Sequence, residues 1–202
     1  MRKLPLIFGI VTLALAWSGL AAQIAPPFTA HMIMHMLVVA VAAPLIALAV
    51  TGTRFDPAPR SAFIFAPLPA SLWELVAVWG WHAPALHAFA RGSATGLVLE
   101  QASFVAAGLL LWLVCIGARH AAAGVFGLLF TSMHMTLLGA LLALAPRPLY
   151  EHVHDLSGLS AIEDQNLGGV VMLAVGGAAY LIGGLVLMAR LLNAPHERAG
   201  AR

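Results

Sequence analysis

The sequence predicts an all-α protein, a polytopic transmembrane helical bundle of about six spans, and three observations predict it. Hydrophobic residues make up 61% of the 202-residue chain and charged residues 9%, against about 25% charged in soluble domains. The mean hydropathy is +0.94. The apolar residues also gather into runs near the ~20 residues that a helix needs to cross hydrocarbon. Only helices or closed barrels satisfy their backbone polar groups in lipid, and the runs lack the alternation of barrel strands. No long polar stretch remains for a soluble domain, so residues 1–202 form a single integral membrane domain. The formal charge of +2 is small and scattered, which argues against nucleic acid as a partner. Cys115 is the only cysteine, so no intramolecular disulfide and no Cys-x-x-Cys metal or redox pair exists. Inside an apolar run it reads as a small core residue.

The first run, 4–22, follows "MRK" and precedes "WSGLAAQ". It fits a retained span, being longer than the usual core of a secretory signal, although its flanks also fit a cleaved signal peptide over 1–22. The core bundle then covers 31–192, with spans at 31–50, 62–81, 96–117, 122–145 and 166–190. Pro44 is expected to kink the second of the six. The segments "TGTRFDPAPR" (51–60), "HAPALHAFARGSATG" (82–96) and "PRPLYEHVHDLSGLSAIEDQN" (146–166) read as loops. In the last span Gly168–Gly169, Gly176–Gly177 and Gly183–Gly184 recur on one face, which suits close helix packing in lipid.

Lys and Arg set the orientation. With both termini cytoplasmic, the inner side receives Arg2, Lys3, Arg54, Arg60, Arg119, Arg190, Arg198 and Arg202, and the outer side only Arg91 and Arg147. This makes the chain a multi-pass membrane protein with its N- and C-termini on the cytoplasmic side. His35, Glu74, Glu100 and His134 then all fall within the outer half of the membrane. Ionisable groups at such depths are expensive and normally face the bundle interior, where they mark a site.

"HMIMHML" (31–37) puts His31, Met34 and His35 on one helical face. His134, between Met133 and Met135, is placed opposite them, between the second and fifth spans. Imidazole and thioether ligands suit copper, and thioether favours Cu(I), whereas zinc more usually takes thiolates or three imidazoles. The candidate metal ligands are therefore His31, Met34, His35 and His134. Glu74, Glu100 and Gln101 are candidates for the acceptors that orient an imidazole. "EHVHD" (151–155) offers His152, His154 and Asp155 as an outer-loop entry point for metal. His82, His87, His120 and His196 receive no assignment. Plainer readings stand beside these: a solvated interfacial His31, methionines as apolar filler, and protonated, hydrogen-bonded glutamates. No Ser–His–Asp order, phosphate loop or dinucleotide fingerprint is present, so no enzyme is indicated.

"HMIMHMLVVAVAAPLIAL" (31–48), "WHAPALHAFA" (81–90), "LEQASFVAAGLLLW" (99–112), "MHMTLLGALLALAPRPLY" (133–150) and "LSAIEDQNLGGVVMLAVGGAAYLIGGLVLMARLL" (159–192) resemble the integral-membrane CtaG-type cytochrome c oxidase assembly factors. "GALLALAPRPLY" and "EDQNLGG" are the most specific pieces. The family pattern has a histidine where this chain has Gln101. The resemblance implies a multi-span protein of the bacterial cytoplasmic membrane that helps make haem–copper oxidase by aiding copper delivery. Its expected partners are oxidase subunits, meeting loops 82–95 and 146–165, and a soluble periplasmic copper donor. Three rival readings are a b-type cytochrome with haem between His35 and His134, a metal-free assembly scaffold, and a small transporter using the buried carboxylates.

Overall fold

Paired glycines in the last helix let its neighbours pack close. The computed structural model describes residues 1–56, 66–117, 121–150 and 158–193. Its helices are α1 (Lys3–Trp17), α2 (Leu20–Ile24), α3 (Pro27–Val50), α4 (Pro67–Trp81), α5 (Pro84–Gly92), α6 (Ala94–Ile116), α7 (Ala121–Ala143) and α8 (Ala161–Leu192). α3, α6, α7 and α8 are each long and apolar enough to cross a membrane. No strand occurs among the described residues. The chain is a helical membrane bundle, and large apolar side chains such as Leu137, Leu141, Leu144, Val170 and Ile182 cover its outside.

Each glycine pair of α8 serves two neighbours. Gly169 and Gly184 approach α7, where a Cβ would lie 2.8 Å from Gly139 O and 3.0 Å from Leu129 Cδ2. Gly168, Gly176 and Gly183 instead receive Phe28, Met36 and Trp112, from α3 and α6. The close α7–α8 approach also lets Ser132 Oγ donate to Gly177 O at 3.1 Å, a polar tie of the kind that joins helices in lipid. A Cβ on Gly139 would meet Leu173 N at 2.8 Å and Gly169 O at 3.0 Å, both backbone atoms that cannot swing aside. Gly139→Ala is therefore expected to destabilise the bundle by about 1–3 kcal/mol, as overpacking does. The check is a lower melting temperature in detergent than for an Ala140→Gly control.

Pro44 acts through a π-turn. α3 runs continuously from Pro27 but is π-helical over Leu37–Ala42, immediately before the proline. Proline lacks an N–H and crowds the carbonyl four residues back, and a wider turn accommodates both defects. Val39 O then accepts from Trp112 Nε1 at 3.0 Å and from Tyr180 Oη at 3.3 Å, which ties α3 to α6 and α8. Cys115 is buried beside Gly124 and Gly127, as a small packing residue.

Several boundaries differ from the expected ones, and α3 begins at Pro27, four residues before the expected 31. The first apolar run breaks at Gly19, whose φ of 76° ends α1 after 15 residues. Segment 82–96, expected as a loop, folds into α5 with Pro84 in its first turn and then enters α6. α8 begins five residues before the expected 166, because Ser160 and Glu163 form a capping box.

Candidate metal centre

The site lies at the end of the bundle where α3 starts and α4 finishes. His31 and His35 project from successive turns of α3. Asp164 fixes the start of that helix: its carboxylate accepts from Phe28 N and Thr29 N at 2.8 Å each and from Thr29 Oγ1 at 2.7 Å. These bonds satisfy N–H groups that a helix start leaves free. Gln165 Oε1 accepts from Leu149 N at 2.7 Å and so holds the chain that leaves α7. Tyr150, at the end of that stretch, donates to His82 O at 2.8 Å. "EDQNLGG" and "PRPLY" thus build the walls of the site.

α4 and α5 bring two further imidazoles. His82 follows the last turn of α4, and its Nδ1 lies 2.7 Å from Val78 O. With a carbonyl as partner, Nδ1 must carry the proton, so the Nε2 lone pair is free. His87 lies on α5. Ring centroids of His31 are 5.0 Å from His87, 5.5 Å from His82 and 6.3 Å from His35, and His35 lies 5.3 Å from His82. All four rings are buried, and Phe104 closes the inner end at 4.0 Å from His35. At the outer end Phe28 and Tyr150 stack at 4.5 Å and both contact His87.

Glu100, from α6, completes the cluster. One ligand atom each of His31, His87 and Glu100 lies within 4.8 Å of the others, a spacing that one metal ion can bridge. His31 Nδ1 is 3.8 Å from Glu100 Oε2. That oxygen also accepts from Arg91 Nη2 and, at 3.1 Å, from Gln101 Nε2. Trp17 Nε1 donates to Gln101 Oε1 at 3.0 Å, so α1 supports the glutamate through Gln101. Both ring nitrogens of His31 and of His35, His82 Nε2, His87 Nδ1 and Glu100 Oε1 are buried without a hydrogen-bond partner. Such groups are normally satisfied, and each orphan costs about 1–3 kcal/mol. Burial, reinforced by the Arg91 charge, pushes the His82 and His87 imidazoles down to about 4 and about 3. Both therefore stay neutral near pH 7, as metal ligation requires.

The structure separates some of the residues expected together. His134 is not brought to His31 and His35. It packs on Phe130 at 5.8 Å and lines a groove with Leu75, Trp79 and Leu137. The reason is helix order: α3 packs on α1, α6 and α8, whereas α7 packs on α4, α6 and α8. Glu74 also lies apart, accepting from Tyr180 Oη at 2.5 Å. Met34 is part-buried against the apolar core. His152, His154 and Asp155 lie outside the described residues, as do His120 and His196. His82, His87 and Arg91 are the site residues that the sequence reading left unassigned. A signal for two of them exists in "PALHAFARG": Pro84 can open a helix, which puts His87 and Arg91 one turn apart on one face.

The family model described as cytochrome c oxidase caa3 assembly factor (Caa3_CtaG) matches residues 1–194. No curated protein and no solved structure matches the chain.

Proposed function

Because this chain belongs to the cytochrome c oxidase caa3 assembly factor family, we propose that it serves oxidase assembly by receiving copper, as Cu(I), at the His31–His35–His82–His87–Glu100 cluster and passing it to an oxidase subunit. The observation that carries this reading is the convergence of four buried imidazoles whose lone pairs have no partner inside the protein. Imidazole donors suit copper, zinc and iron alike, and copper is the member of that set that a haem–copper oxidase takes up as a bare ion. The protein acts as a carrier and assembly factor, not as an enzyme.

The ligand order supports transfer. His87 is nearest the outside and lines a cavity of about 470 Å³ with Phe28, Tyr150 and Arg91. His31 comes next, and His35 with His82 lies deepest. Overlapping ligand sets let an ion exchange one imidazole at a time without leaving coordination. The Glu100 carboxylate balances the single charge of Cu(I), which lowers the cost of placing the ion in a buried site. The site end carries Arg91 and Arg147, whereas Arg2, Arg54 and Arg190 sit towards the other end. By the positive-inside rule the site faces the extracytoplasmic side of the bacterial cytoplasmic membrane. There it is open to oxidase subunits and to a soluble copper donor.

The test is anaerobic titration of the detergent-purified protein with Cu(I) against a chromogenic chelator, followed by a visible spectrum. About one tightly held copper per chain and no Soret band is the expected result. Failure to withdraw any copper from the chelator overturns the reading. A Soret band would restore the haem alternative, for which the proposed pair His35 and His134 shares no ring contact among the described residues.

A further inference from the structure

Glu100 Oε2 lies beside His31 Nδ1, and it is already engaged by a cation that belongs to the protein. Arg91, on α5, places Nη2 against that oxygen. Gln101 Nε2 binds the same atom, while Glu100 Oε1 has no partner. The Arg91 side chain is 34% exposed, whereas Glu100 is fully buried. The guanidinium therefore reaches inward from the surface to a carboxylate that cannot reach out. It also lines the outer cavity of about 470 Å³, together with His87 and Tyr150. The cavity gives the side chain room to turn.

Resting on the copper reading above, we propose that Arg91 is a displaceable latch: its guanidinium neutralises Glu100 while the site is empty and must swing into the outer cavity when copper takes the carboxylate. Two cations on one buried carboxylate repel strongly at low dielectric. With Arg91 on Glu100 the empty site is charge-balanced and the imidazoles remain neutral. When Cu(I) binds Glu100, the balance is restored only if the guanidinium leaves. Binding thus includes the cost of breaking a partly buried ion pair, and release regains it. Such a site holds copper more weakly than its ligands alone would, which suits a protein that must give the metal up. The latch also couples occupancy to the outer surface, because an occupied site exposes Arg91 at the cavity mouth.

The experiment compares full-length wild type with Arg91→Ala, Arg91→Gln, Arg91→Lys and Glu100→Gln in detergent, by competition for Cu(I) with a chromogenic chelator. Arg91→Ala and Arg91→Gln are expected to bind at least tenfold more tightly than wild type and to release copper more slowly, while Arg91→Lys stays near wild type. In a Glu100→Gln background, removal of Arg91 is expected to change affinity less than twofold. Monodisperse Arg91→Ala or Arg91→Gln protein that binds copper no more tightly than wild type overturns the latch alone. So does an Arg91 effect that persists at full size without Glu100. If Arg91→Ala does not fold, Arg91→Gln is judged by the same criteria. Absence of copper binding in wild type and every variant overturns the copper reading, and the latch with it.

Discussion

Cells in which the chain carries His31→Ala or His35→Ala will fail to mature cytochrome c oxidase, and the purified variants will lose copper. The expected fall in affinity is more than about 100-fold, beyond the 10–100-fold typical of losing an outer-shell partner. His31 is the hinge of the cluster, since its ring neighbours His35, His82 and His87 together. His35 is its deepest member, closed off by Phe104. His134→Ala is the matched control. It removes a buried imidazole with two unpartnered nitrogens but touches a different groove. Wild-type copper content and oxidase activity are expected for it. Copper content from inductively coupled plasma analysis and oxidase turnover in membranes of a complemented deletion strain check the set. If His31→Ala and His35→Ala lose copper yet support full oxidase activity, the protein assists assembly as a scaffold. If they keep copper, the metal lies elsewhere.

The His31–His35 pair was legible because one helix repeat places both residues on one face. That His134 stands apart from the pair was not legible. It required knowing that α3 and α7 do not pack on each other, and depth in the membrane says nothing about which helices touch. α8 stands against both: its Gly168 and Gly176 admit Phe28 and Met36 of α3, while Gly169, Gly177 and Gly184 face α7. The sequence shows the glycine stripe but not its two-sidedness. His82 and His87 were hidden in a segment read as a loop, although Pro84 is a recognisable helix start. Ser160-x-x-Glu163 was equally readable as a capping box, and with it the true start of α8. The roles of Asp164, Gln165 and Tyr150 depend on contacts with α3, the α7–α8 connection and His82. Only the folded chain brings those together.

The metal-free protein will be acid-labile, and the same imidazoles will be the cause. His82 and His87 are held neutral by burial, at about 4 and about 3, while in an unfolded chain they titrate near 6.5. The folded form therefore binds fewer protons than the unfolded form between those values, and stability must fall as pH falls. It is complete above about pH 6.5, then drops by about 1.4 kcal/mol per pH unit for each imidazole until that imidazole titrates in the fold. The groups facing these two rings do not reverse the sign. His31 and His35 from α3 are further imidazoles, Arg91 from α5 is a fixed cation, and the Glu100 carboxylate is already paired with that cation. Melting temperatures of apoprotein in detergent should hold from pH 8 to 7 and then fall steeply towards pH 5. His87→Gln, which cannot take up a proton, should make the slope shallower by one imidazole's share. A melting temperature that is flat from pH 7 to 5 would mean that the rings are already charged or solvated in the fold. In that case the neutral, unpartnered cluster on which copper binding depends would not exist in solution.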